Sequence, residues 1–149
     1  MGWFKSLINR GRKFASVDRR TKALVLNAFV LLWIVRVGLW VAPFRVMQNL
    51  MRRLGSLDRS GPKRHTAGQI SEVVSRCALY VPGANCLPQA MTLDVLLRRD
   101  GYSPKLQIGV ARGSQGEFQA HAWVEVEGNA HGPGDETIGR FKALPTAFG

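Results

Sequence analysis

The sequence predicts an α+β fold, with helices packed on an antiparallel sheet behind a basic, apolar N-terminal helical region. Three observations carry this expectation. Apolar residues recur at helical spacing as far as Arg99, the period falls to two beyond Gly101, and Gly-containing turns separate the alternating runs that follow.

A chain of 149 residues with 46% hydrophobic and 21% charged residues is long enough to bury a real core, which excludes wholesale disorder. Its two cysteines are too few for a disulfide framework. The start also lacks a short apolar segment followed by a small-residue cleavage site, so a reducing cytosol is the expected compartment. Charge divides the chain in two. Residues 1–64 hold 14 Lys and Arg against Asp18 and Asp58, a balance of +12, whereas residues 65–149 balance at −1. The first part should attract an anionic surface, and the second reads as an ordinary folded unit. Nucleic acid is a poor candidate, because the positive charge is not interleaved with aromatics on a strand platform and no recognition motif occurs.

In chain order, Trp3, Phe4, Leu7, Ile8 and Phe14 alternate with cations over the first 22 residues as in a short amphipathic helix. The Ser16-Val17-Asp18 stretch reads as a break and a new hydrogen-bonded helix start. Residues 23–44 contain one charged residue, Arg36, and approach the roughly 20 apolar residues that cross a bilayer. Arg36, Asn27 and Pro43 weigh against a span, so a helix packed in a core or lying in a membrane interface is expected. A short helix over residues 43–54 follows. Residues 55–64 are the linker candidate, dividing an N-terminal helical region (1–64) from a second domain (65–149).

Thr66 and Gln69 have the capping-box spacing and open a helix over residues 67–80 with Ile70, Val73, Val74, Cys77 and Ala78 inward. Pro82-Gly83 ends it. A further helix runs from about Asn85 to Arg99, tolerating Pro88 in its first turn, with Ala90, Leu93, Leu96 and Leu97 inward and Gly101 as its stop. Leu106, Ile108 and Val110 then form one face of a strand, and Phe118, Ala120, Ala122, Val124 and Val126 one face of its hairpin partner. Residues 130–142 return as a short strand or an irregular segment.

Cys86 falls in the first turn of a predicted helix, where unpaired amides and the helix dipole favour the thiolate that attacks carbonyls. Cys77 sits on an apolar stripe and reads as core. His121 lies on the strand face opposite Ala120, Ala122 and Val124, free to meet a helix start across a cleft and to take the thiol proton. Asp135, 14 residues beyond His121 and after the Gly128-Asn129 turn, is the choice for orienting the imidazole, with adjacent Glu136 as its rival. Glu125 lies about 13 Å along the strand, too far for a direct bond. The Cys86 backbone amide is the first candidate oxyanion donor, and the side chains of Asn85 and Gln89 are candidates for a second. A zinc site from Cys77, Cys86, His121 and His131 fits poorly, because the eight residues between the cysteines do not match compact zinc spacing. No cofactor is called for.

The blocks Val81-Pro82-Gly83-Ala84-Asn85-Cys86-Leu87-Pro88-Gln89-Ala90, Ile108-Gly109-Val110 and His121-Ala122-Trp123-Val124-Glu125-Val126, in this order, resemble the transglutaminase-like cysteine protease domain of lasso peptide biosynthesis proteins. The resemblance covers about residues 66–142. It implies a papain-like, transglutaminase-type fold with a Cys-His-Asp triad, matched by Cys86, His121 and Asp135, that removes the leader of a ribosomally made precursor peptide. Residues 1–64 lack the strand alternation of the leader-recognition element, so the likeness is to the split form, the B2 protein. That form implies a separate recognition protein and an ATP-dependent macrocyclase as partners, with the basic helices docking one of them or a membrane. Acyl transfer to an amine through the same thioester, or a membrane-associated binding module without activity, are the competing readings.

Overall fold

A computed structural model describes residues 18–57 and 62–145 of the chain. The expected basic amphipathic helix lies outside the described residues up to residue 17, as do residues 58–61 of the expected linker. Helices α1 (Arg19–Val41), α2 (Phe44–Ser56), α3 (Ala67–Ala78) and α4 (Cys86–Arg99) lead into strands β1 (Lys105–Arg112) and β2 (Phe118–Val126). Strand β3 (Asn129–His131), a 3-10 turn (Asp135–Arg140) and β4 (Lys142–Ala143) complete the fold. The α+β architecture is the one the sequence predicts.

Helix boundaries follow local chemistry. Pro43 disfavours helical backbone at the residue before it, and Ala42 is extended at φ −122°, ψ 150°, so α1 stops and α2 restarts on Pro43 as its N-cap. Thr66 accepts from the Gln69 amide at 3.1 Å while the Gln69 side chain accepts from the Thr66 amide at 2.9 Å, the reciprocal capping box. Helix α3 ends at Ala78, two residues before the expected 80, and leaves Leu79 and Tyr80 exposed. Asp18 caps α1 by position only: its side chain makes no capping bond, and its backbone carbonyl accepts from Lys22 instead. Helix α4 ends in a Schellman motif. Gly101 takes φ +87° while the amides of Gly101 and Tyr102 donate to the carbonyls of Arg98 and Leu97.

The sequence assigns α4 one inward stripe, but the structure buries Pro88 and the whole run from Ala90 to Leu97. Helices α1, α2 and α3 cover its flanks and the β1–β2 hairpin covers the remaining face, so no side is left for solvent. This central position draws in one carboxylate. Asp94, 6% exposed, accepts from Arg98 Nε at 2.8 Å and Nη2 at 3.2 Å, and Arg98 Nη2 also donates to the Pro104 carbonyl, joining α4 to the start of β1. Gly55 lets α2 come close here, since a Cβ at that position would lie 2.9 Å from Arg98 Cδ.

Residues on both sides of the expected boundary at 64 share one hydrophobic cluster, with Leu32, Val35, Met47 and Met51 joining Ile70, Leu93 and Val124. Helix α1 is long and apolar enough to cross a membrane, yet Leu24, Ala28, Leu31, Leu32 and Val35 along one side are buried in the protein. Arg36 is held by the fold rather than left in an apolar face: its Nε donates to the Pro82 carbonyl at 3.1 Å. Gly83 makes room for it. A Cβ there would lie 2.4 Å from Arg36 Nε, and the φ of +75° favours glycine.

The sheet has the order β3-β2-β1-β4. Because β3 pairs with β2 and β4 pairs with β1, the connection between β3 and β4 must cross the sheet. It crosses the face away from the helices, and this crossing segment answers to the return expected over 130–142. The hairpin's apolar face begins later than expected: Phe118 is 74% exposed beneath the Arg112 guanidinium and Ala120 is exposed, whereas Ala122, Val124 and Val126 are buried against the helices.

Since α1 and α2 supply core residues to the helices and sheet that follow, a fragment of residues 65–149 is expected to lose cooperative unfolding. Urea denaturation monitored by circular dichroism checks this: the full chain should give one sigmoidal transition and the fragment a shallow drift.

Candidate active site

Cys86 is the first residue of α4 and is half-buried against the core. Its backbone amide belongs to the first turn, where helical N–H groups lack intrahelical acceptors. The loop before it is held from two directions. Arg36 binds the Pro82 carbonyl, and Gln89 Nε2 donates to the Ala84 carbonyl at 2.8 Å. Gln89 therefore braces the loop with the amide that is one candidate for an oxyanion donor, and among the described residues its buried Oε1 has no partner. Asn85 occupies the N-cap position, exposed and with no side-chain capping bond.

Cys86 and His121 are linked along the chain by α4 and β1. Helix α4 rises about 18 Å from Cys86 to Arg98. The chain then reverses through residues 101–104, and β1 runs back about 13 Å from Lys105 to Gly109, whose partner across the ladder is His121. Cys86 packs against the core on the helix side of the sheet, and His121 projects from the opposite sheet face. His121 shares the outer sheet face with Trp123, as the alternation predicts, and among the described residues no hydrogen bond joins its ring to the Cys86 sulfur.

The imidazole is closely held. Its ring stacks on Phe141 at 5.0 Å between centroids and on Trp123 at 6.3 Å. Its Nε2 lies 2.8 Å from the Pro133 carbonyl oxygen. A carbonyl only accepts, so Nε2–H is the donor in this contact and Nδ1 is left without it. Trp123 is 3% exposed because the crossing segment covers it, and Gly109 makes room for its ring: a Cβ there would lie 2.6 Å from Trp123 Cη2. The Trp123 indole N–H donates to Glu125 Oε1 at 3.3 Å, and Glu125 Oε2 accepts from Gln107 at 3.4 Å. Glu125 is thus engaged with the supporting ring rather than with His121.

Asp135, the expected orienting carboxylate, opens the 3-10 turn two residues after Pro133, but its side chain lies outside the described part of the structure. Glu136 is exposed. The partner of the histidine that sequence reasoning missed is the Pro133 backbone carbonyl, which carries no residue-type signature; only the Gly132-Pro133-Gly134 turn signal marks the place. Phe141 was missed for a related reason, because a lone aromatic after an irregular segment has no period to place it on a face.

Cys77 is buried, its Sγ–H directed at the Val25 carbonyl at 3.7 Å, and burial pushes its thiol pKa up. His131 sits on β3 opposite Val124. Among the described residues, no three His, Cys, Asp or Glu side chains gather as a metal site.

The contrast between the two thiols gives a direct check. Iodoacetamide at neutral pH is expected to label Cys86 at least tenfold faster than Cys77, since a raised pKa and a closed core both withhold the thiolate at residue 77. Peptide mapping after partial labelling reads the ratio, and equal rates in the folded protein would contradict it.

A family model described as the transglutaminase-like superfamily matches residues 29–146, from the middle of α1 through the last strand, while no curated protein and no solved structure matches the chain. The match takes in α1 and α2 together with the Cys86 and His121 blocks, and the half-buried cysteine at a helix start with a histidine on the following hairpin is in keeping with it. The chain belongs to the transglutaminase-like superfamily.

Proposed function

We propose that this protein is a cysteine peptidase that removes the leader from a ribosomally made lasso peptide precursor, with Cys86 as nucleophile and His121 as base. The observation that carries the reading is the tautomer at His121. With Nε2–H donated to the Pro133 carbonyl, Nδ1 is the nitrogen left to accept a proton. In this reading Nδ1 takes the Cys86 thiol proton, and the sulfur adds to the carbonyl at the leader–core junction. The Cys86 backbone amide donates to the resulting oxyanion. Collapse breaks the C–N bond as Nδ1–H protonates the departing core amine, leaving the leader as a thioester. Water, deprotonated by Nδ1, then hydrolyses the thioester to free leader acid and thiol.

Asp135 is proposed to support the imidazolium from the segment that also supplies the Pro133 carbonyl. Helices α1 and α2 lack the strand pattern of a leader-binding element, which supports a division of labour in which a separate recognition protein presents the precursor and an ATP-dependent cyclase takes the freed core. Acyl transfer to an amine uses the same thioester, and family membership gives that reading its support.

In a cleavage assay with precursor and recognition protein, Cys86→Ala is expected to abolish leader release, and His121→Ala to slow it by roughly a hundred- to ten-thousandfold. Asp135→Asn should slow it more than Glu136→Gln, and circular dichroism spectra should match the parent throughout. Mass analysis in the presence of an added primary amine separates the chemistries: free leader acid is the expected product, and an amide-capped leader would assign acyl transfer instead.

A further inference from the structure

Helix α1 is apolar on two sides, and the protein covers only one of them. Opposite the buried row, the exposed residues include Leu26, Phe29, Trp33, Val37, Trp40 and Val41, with Trp40 84% and Val41 76% exposed. At helical spacing the uncovered residues form one continuous stripe roughly 140° wide along a helix about 34 Å long. Only 28% of the helix's most apolar stretch is buried within the protein.

Charge says what covers the stripe. Arg19 and Arg20 are exposed at the start of α1, and Arg45 is exposed just past its end. No Asp or Glu occurs between Asp18 and Asp58, and the first 22 residues hold seven Lys and Arg. An apolar, aromatic stripe bracketed by cations and free of acids matches a surface with hydrocarbon below and anionic headgroups at its edge. A span across the bilayer does not fit the packing. The inner face of α1 is joined to α3 and α4, and Arg36 is bound to the Pro82 carbonyl, so a transmembrane α1 would draw into hydrocarbon the exposed Glu72–Arg76 ion pair of α3. We propose that the outer face of α1 seats this protein on the surface of an anionic phospholipid bilayer, the helix lying in the membrane plane.

Flotation of the full chain with vesicles tests this independently of any peptidase activity. The parent protein should float with vesicles of equal parts phosphatidylcholine and phosphatidylglycerol at least tenfold more tightly than with phosphatidylcholine alone. The combined variant Phe29→Ser, Trp33→Ser, Val37→Ser and Trp40→Ser should bind at least tenfold more weakly, with an unchanged circular dichroism spectrum and unchanged labelling of Cys86. In a Trp3→Phe background, indole fluorescence should be quenched more by lipids brominated near the headgroup than by lipids brominated at the chain end. Any of four outcomes overturns the proposal: no flotation with either vesicle, binding unaffected by the serine variant, stronger quenching from the bilayer centre, or a stable oligomer in the parent that the serine variant dissolves.

Discussion

Burial of α4 on every side is the constraint from which the rest of the molecule follows. A helix with no solvent face needs neighbours all round, and α1, α2, α3 and the β1–β2 hairpin are those neighbours. Only the ends of such a helix remain accessible for chemistry. At one end the Asp94–Arg98 pair and the Schellman turn fasten α4 to β1. At the other, a half-buried cysteine stands in the first turn, with its position fixed by the packing of everything behind it.

Two Pro-Gly pairs hold the surroundings of the candidate site in the same way. At Pro82-Gly83 and at Pro133-Gly134 the glycine takes a positive φ, near +75° and +71°, and the preceding proline carbonyl is turned toward a side chain from a distant element. Arg36 takes the first carbonyl and His121 the second. Each pairing holds a loop or a ring in place, and at half-buried Pro133 it also supplies the donor that the carbonyl needs. The arginine that looked out of place in an apolar helix is, in the folded chain, a brace for the segment leading to Cys86.

Much of this was legible in the sequence, where the signal was local and periodic. The Thr66–Gln69 capping box, the Gly101 stop, the hairpin and its face alternation all depend on neighbours within a few residues. The full burial of α4 was not, because Thr92 and Asp94 read as a polar side until tertiary partners enclose them. The role of Gln89 as a brace depends on a backbone carbonyl, which composition does not report. The grip on His121 draws on Pro133 and Phe141, 12 and 20 positions away, reached through an irregular crossing whose path only the sheet order reveals. The Cys86 and His121 blocks stood out because each combines a reactive residue type with a regular element.

The links from α1 to later parts of the chain also set an order of events during synthesis. Val25 meets Cys77 across 52 positions, and Arg36 meets Pro82 across 46. A ribosome adding about 5–20 residues per second leaves α1 waiting for several seconds before its inner face has anything to pack against. During that interval the nascent helix exposes apolar side chains around its whole circumference, and a chaperone or a nearby bilayer is the environment that would keep it from aggregating until α4 emerges.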